Sequence, residues 1–371
     1  MSASVALLKC EAYEGKKITE QLKRLPELTD FPDVKGKRVL LKPNLLSGSA
    51  PEKAVTTHPE VLRGVIELMK SLEASSVVVG DSPGAGPSLP AAKKAGLYRV
   101  CEETGVKWVD FSETETFPCD EAVLHSQFLL TKELSRADIT ISLPKMKTHG
   151  LMYFTGAIKN LFGLIPGLAK SGFHMRYPDK EDFARLIVDL NLAVRADYAI
   201  MDGIVAMEGR GPGSGTPRPM NLLLGSSDLL ALDITAANLI GYDGASLPIH
   251  RTMLSTSLWI NSPKEIQLKG DDREQFFCPN FKKIPRIPDY AGLVPPALRP
   301  LLKNLIVPRP FFRHRDCIKC GKCLEICSPK ALSFTGEGKK RKVAIDYDKC
   351  IRCYCCDEIC PVAAIHLKRR F

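Results

Sequence analysis

At 371 residues, 44% hydrophobic and 25% charged, the chain exceeds one comfortable core and is too apolar for global disorder, so a large and a small domain are expected. A formal charge of +10 raises nucleic acid as a partner, yet no helix-turn-helix, RNA-recognition or zinc-finger pattern accompanies the basic runs KKRK at 339–342 and KRR at 368–370; the excess reads as a solvated face that would attract an acidic redox partner. The apolar runs are too short for a membrane span, and the start, MSASVALLKC, lacks the basic segment and long apolar stretch of a secretory leader, so a reducing cytoplasm is the expected address.

Through residues 1–276, short β-branched runs alternate with amphipathic stretches of helical length. Strands are predicted at 38–41, 76–80, 138–143, 198–201 and 221–225, and helices over 58–72, 89–104 and 180–194. That order predicts an α/β domain with a largely parallel sheet and flanking helices.

What leaves each strand carries the functional signal. The first strand runs into Lys42-Pro43-Asn44, the second into Asp81-Ser82-Pro83-Gly84, the third into Pro144-Lys145-Met146-Lys147-Thr148-His149, and the fourth into Asp202-Gly203. In a parallel sheet such exits lie along one edge, where α/β proteins bind ligands. Each residue alone could serve a turn or a cap, as Asp81 and Ser82 before Pro83, or Thr57 ahead of the helix at 58–72. The stretch KTHGLMYFTGAIKNLFG at 147–163 adds Lys159 and Asn160, with Gly150, Gly156 and Gly163 allowing close backbone approach to a ligand. Lys42, Asn44, Asp81, Lys145, Lys147, Asn160 and Asp202 are therefore the candidates for binding a small anionic substrate or cofactor. His149, Lys159 and His174 are the catalytic candidates, with a histidine titrating near neutrality as proton donor. The glycine-rich GRGPGSG at 209–215 precedes a strand and not the helix of a dinucleotide fingerprint, so it reads as a mobile loop that could close as a lid.

Eight prolines mark 277–315 as a semi-extended connector packed along the large domain. Residues 316–371 form a tandem repeat: CIKCGKCLEIC begins at Cys317 and CIRCYCCDEIC at Cys350, each cysteine of one recurring 33 residues on in the other. The spacing C-x2-C-x2-C-x3-C wraps three thiolates around one cubane and sends the fourth to the other. Cys317, Cys320, Cys323 and Cys360 would then hold one [4Fe-4S] cluster, and Cys350, Cys353, Cys356 and Cys327 a second. A zinc ion needs four tetrahedral ligands and would not explain two superimposable sets. Cys355 falls outside the pattern and reads as a small buried residue, a reactive thiol being the alternative.

The tail resembles bacterial-type two-cluster ferredoxins, which implies a small α+β domain; it departs from them where Cys327 is followed by Ser328, with Pro329 one place later. The set KPNLLSG, VVVGDSPG, LPKMKTHG, TGAIKNLFG and MDGIVAMEGRGP resembles the domain of unknown function 362 family over roughly residues 5–242. Members with such tails resemble cytoplasmic iron–sulfur proteins, which implies a redox role without naming a substrate. His149, Lys159 ten positions on and His174 fifteen further are also similar in spacing to residues of the nickel-pincer lactate racemases, where the resemblance would imply an acid–base histidine, a cofactor-bearing lysine and a nickel-binding histidine. The leading expectation is an oxidoreductase relaying low-potential electrons through two clusters to the anionic substrate. A non-catalytic electron-transfer or cofactor-maturation protein and a racemase-like enzyme are the alternatives.

Overall fold

The computed structural model describes residues 2–256, 258–286 and 306–368. The large domain contains β1 (Ala3–Lys9), β2 (Arg38–Pro43), β3 (Ser76–Gly80), β4 (Lys107–Val109), a separate hairpin of β5 (Thr114–Pro118) and β6 (Gln127–Thr131), β7 (Ile139–Leu143), β8 (Lys145–His149), β9 (Tyr153–Thr155), β10 (Tyr198–Glu208), β11 (Thr216–Ser226) and β12 (Ile266–Gly270). The main sheet has the order β12-β1-β11-β10-β7-β2-β3-β4, with β8 pairing to β10 and β9 to β8. Six of its pairings are parallel and three, β1 with β11, β10 with β11 and β8 with β9, are antiparallel. It is thus a mostly parallel mixed sheet.

Alternation of side chains along the strands builds two cores. Val5, Leu7, Leu40, Val78, Ala199 and Leu224 face one layer, which includes the helices Lys180–Val194 and Leu229–Leu239. Ala6, Leu8, Val39, Leu41, Val79 and Ile200 face the other, with the helices Gly15–Leu22 and Pro59–Ser71. Period-two alternation is what a sheet covered on both faces by helices requires.

Several expectations change in detail. The helix expected over 89–104 is two, Ser88–Lys94 and Leu97–Thr104, because Gly96 takes φ +77° between them. His58, not Thr57, caps the helix Pro59–Ser71, its Nδ1 accepting from Glu60 N at 3.2 Å. Asp81 caps no helix: it accepts from Leu45 N at 2.6 Å and Ser82 N at 2.7 Å. The segment 145–149 is itself a strand, not a loop, so Lys145, Lys147 and His149 alternate onto one face.

In the small domain, β13 (Arg309–Phe312) pairs with β16 (Ile365–Lys368), and β14 (Leu332–Thr335) with β15 (Lys342–Ile345). Two short helices, Lys322–Glu325 and Cys355–Glu358, complete it. Every one of these elements has a counterpart 33 residues away, so the cysteine period is also the period of the fold. The strand Arg309–Phe312, ahead of the expected start at 316, joins this domain's sheet through its pairing with β16. The near end of the connector packs on the large domain, with Phe281 buried and Lys282 N donating to Glu208 Oε2 at 3.0 Å; the rest of that expected segment, 287–305, lies outside the described residues.

The loop 209–215, read as a mobile lid, is held from both sides. Gly211 exchanges hydrogen bonds with Gly150 N and Thr148 Oγ1, both at 3.2 Å, while Arg210 reaches Asp357 Oδ1 at 3.1 Å and the carbonyl of Ile365 in the small domain. The reason is steric: a Cβ on Gly211 would overlap Thr148 O, and one on Gly213 would overlap Glu358 O. Among the described residues, no helix is long and apolar enough to cross a membrane.

Gly211→Ala should therefore destabilise the protein by about 1–3 kcal/mol through overpacking. Gly172→Ala, inside the helix Ala169–Arg176 with nothing within 4 Å of its new Cβ, should be neutral or stabilising by up to about 1 kcal/mol. Equal shifts of the two denaturation midpoints would contradict the wedged loop.

Candidate functional site

Strand exits and the small domain enclose one cavity of about 660 Å³, its open mouth included. Lys42 and Asn44 come from the end of β2, Asp81 and Ser82 from the end of β3, and Lys147 and His149 from β8. Lys159 and Asn160 come from the one-turn helix Ala157–Asn160, and Lys170, Ser171 and His174 from the helix Ala169–Arg176. Ile326, Cys355 and Glu358 of the small domain, with Pro212 of the wedged loop, close it.

Eight of the ten expected large-domain residues thus share a cavity; Lys145 and Asp202 do not line it. They form their own buried ion pair at 2.8 Å, joined by Tyr13 OH, which receives from Lys145 Nζ at 2.8 Å and donates to Asp202 Oδ1 at 3.0 Å. Tyr13 in turn stacks on His58 at 3.5 Å between ring centroids. Lys145 lies on the same face of β8 as Lys147 and His149, but Asp202 sits beside it on β10 and holds its amine there.

A continuous hydrogen-bond network orders the cavity floor. Lys42 Nζ donates to Asp81 Oδ1 at 2.8 Å, Pro43 O at 3.0 Å and Asn160 Oδ1 at 3.3 Å, which uses all three of its protons. Asn44 Nδ2 donates to Asn160 Oδ1 at 3.0 Å, and Asn44 Oδ1 receives from Lys147 Nζ at 2.7 Å, whose second bond goes to Val55 O, also at 2.7 Å. Lys170 Nζ reaches Ser82 Oγ at 3.0 Å and Ile165 O at 2.7 Å. Lys159 Nζ makes no hydrogen bond among the described residues and sits 5.9 Å from the Phe162 ring centroid.

Burial governs the charge states. It pushes Lys147 down to about 7, helped by the Lys159 charge, and Lys170 down to about 7 despite Asp81. Lys159 is also lowered by burial, against the pull of Glu358. Within the Lys42–Asp81 pair, burial lowers the amine and raises the carboxyl, each opposed by its partner. Glu358 is raised by burial.

The histidines do not titrate near neutrality as expected. Burial and the Lys159 charge hold His149 well below its ordinary value and His174 at about 3. His149 Nδ1 accepts from Leu151 N at 3.1 Å and Met152 N at 3.3 Å, so its one proton sits on Nε2. That Nε2 is buried without a hydrogen-bond partner, as is Glu358 Oε1, which lies 3.3 Å away but out of line. Neutral His149 is a fixed donor, and the groups able to exchange a proton near neutral pH are Lys147 and Lys170. Lys170, Cys355 and Glu358 were missed from sequence: Lys170 leaves no strand, and Glu358 has Glu325 at the same place in the first repeat, where it does not line this cavity.

The cysteines fall into two groups. Cys317, Cys320, Cys323 and Cys360 line a second cavity of about 340 Å³, mouth included. Cys350 lies within electrostatic reach of Cys353 and Cys327, and Cys327 of Cys353. Ala331 N donates to Cys327 Sγ at 3.3 Å and Ala364 N to Cys360 Sγ at 3.2 Å, again 33 residues apart. Among the described residues no three His, Cys, Asp or Glu side chains converge on a point that would suit one metal ion. Four thiols spaced around a cavity fit a cluster with its own iron and sulfide.

The family model for a domain of unknown function, DUF362, matches residues 39–238, and that for a 4Fe-4S dicluster domain matches residues 316–364. A thylakoid-associated protein of Synechocystis sp. is 32% identical over 301 residues, which cover 77% of this chain and 92% of that protein. The lactate racemase apoprotein of Thermoanaerobacterium thermosaccharolyticum aligns at a TM-score of 0.40 and 14% identity over 66% of this chain and 58% of its own. A Thermotoga maritima protein solved by structural genomics aligns at 0.36 and 16% identity over 57% and 55%. The chain spans less than two thirds of either solved structure.

Because the unfolded chain binds more protons at Lys147 and Lys170 than the folded one between about 7 and the ordinary lysine value of 10.5, stability should rise with pH across that interval. Each lysine adds a slope of about 1 kcal/mol per pH unit. Denaturation of ligand-free protein should show it, with a shallower slope in Lys147→Met; a slope unchanged by that substitution would contradict a Lys147 amine lowered by burial.

Proposed function

The chain belongs to the DUF362 family and is an iron–sulfur protein, and from that premise we propose that it is an oxidoreductase whose large-domain cavity binds a small anion beside the inner of two [4Fe-4S] clusters. Cys317, Cys320, Cys323 and Cys360 hold the outer cluster, and Cys350, Cys353, Cys356 and Cys327 the inner one. When bound, such clusters supply single electrons at low potential.

One observation carries this reading: the cavity wall is shared. Cys355 adjoins Cys356, Ile326 adjoins Cys327, and both line the same space as Lys147, His149 and Lys159. Electrons from the inner cluster have no further to go than the cavity wall. The large-domain residues supply the rest: His149 Nε2 and the Lys159 amine face the anion, Lys147 and Lys170 gain or lose a proton as its charge changes, and Lys42 with Asp81 and Asn160 fixes the floor. Lys145 and Asp202 tie β8 to β10 beside the cavity. Outer Cys320 is exposed, and residues 309–371 carry fifteen Lys and Arg against seven Asp and Glu, which suits an acidic protein as electron donor. The thylakoid association of the Synechocystis relative adds the thylakoid to the cytoplasm as a candidate location.

Anaerobically purified protein should contain on the order of eight irons and eight sulfides. It should bind oxalate with proton uptake, and the affinity should fall as pH rises through about 7, where Lys147 and Lys170 discharge. Dithionite-reduced protein, screened against small carboxylates and phosphates, should pass more than about two electrons per chain to one of them, since each cluster stores one. Oxidation limited to the stored electrons, and only by a partner protein, would favour the non-catalytic carrier.

A further inference from the structure

We propose that Lys159 is a nucleophile that condenses with the carbonyl of a small 2-oxo acid, an inference that rests on the anion-binding reading of the same cavity. The other three cavity lysines are committed to acceptors: Lys42 to three, Lys147 to two and Lys170 to two. Lys159 has none among the described residues, and no carboxylate oxygen lies within ion-pairing distance of it. A lysine whose task is to be a fixed cation is expected to hold acceptors, as its neighbours do. A free amine aimed into a cavity is instead available for bond formation.

Its placement is enforced from below. Asp233 Oδ1 accepts from Ala157 N at 2.7 Å and Oδ2 from Ile158 N at 3.1 Å, so the turn that presents Lys159 is anchored at its start, and a Cβ on Gly156 would overlap that carboxylate. Burial lowers the amine toward its neutral, nucleophilic form, against the pull of Glu358 and Cys355.

A second, independent feature points to the carboxylate of the ligand. His149 Nε2 carries a proton, is buried, and forms no hydrogen bond, Glu358 Oε1 lying 3.3 Å away but out of line. A 2-oxo acid places a carboxylate one bond from its carbonyl, so one small molecule could satisfy this donor and meet the Lys159 amine. In the step itself, Lys159 Nζ forms a bond to the carbonyl carbon and the carbonyl oxygen departs as water. That water carries one hydrogen from the amine and one proton from the medium, and the nitrogen keeps its other hydrogen as a protonated imine. No electrons are exchanged.

The test uses full-length protein purified without air, treated near neutral pH with glyoxylate and sodium cyanoborohydride and mapped by peptide mass spectrometry. One carboxymethyl group should appear on Lys159 severalfold faster than on the average lysine outside the cavity, because its buried amine holds no acceptor. Sulfate should suppress that labelling in the native protein, propanal should lose the preference, and Lys159→Arg should abolish the modification at that position while Lys170→Arg keeps it. Labelling spread evenly over all lysines, insensitivity to sulfate, or a covalent group already on Lys159 in the purified protein would overturn the proposal. Calorimetry with sulfate on the same sample separates the two ideas. Sulfate bound but Lys159 unlabelled removes the imine alone, whereas neither binding nor labelling removes the anion site with it.

Discussion

Surplus positive charge, buried where the strands end, is the constraint around which this molecule is organised. Four lysines and two carboxylates line one cavity, and both of its histidines are held neutral. Burying an ion costs several kcal/mol unless partners replace its water. The protein meets that cost unevenly: Lys42 is fully paired, Lys147 and Lys170 are lowered toward discharge, and Lys159 is left open. In the proposed reading a small anion supplies the counter-charge.

The small domain makes the cavity a cavity. Its second repeat gives the cavity Cys355 and Glu358 and its first only Ile326, so symmetric halves acquire different surroundings: Glu358 lies against His149 while Glu325, its counterpart, does not line this cavity. The wedged loop 209–215 sets this orientation, because Arg210 bonds to Asp357 on one side and Gly211 to β8 on the other. Docking a cluster domain over a cationic crevice thus follows from backbone fit as much as from charge.

Much of this was legible in the sequence because it follows from local rules. The cysteine spacing, the β-branched runs and the polar strand exits need no tertiary knowledge, and they bring Lys42, Asp81, Lys147 and His149 to one edge. What was illegible depends on burial. The helix Leu229–Leu239 is buried on nearly every side, so it lacks the polar stripe by which a helix is read. The withdrawal of Lys145 to Asp202 depends on a neighbour in β10, the neutrality of His149 on its burial, and its tautomer on two backbone N–H groups that no motif encodes. The strand Arg309–Phe312 did have a signal: the 33-residue period, carried back from Lys342–Ile345, lands on it.

The central claim is that an anion in the lysine cavity lies beside one cluster and not the other. Electron–nuclear double resonance on reduced protein saturated with carbon-13 oxalate tests it most directly. The account predicts a carbon-13 coupling to the cluster held by Cys350, Cys353, Cys356 and Cys327, absent from the outer cluster and lost in Lys159→Ala. Bound oxalate with no coupling to either cluster, or coupling to the outer one alone, would contradict it.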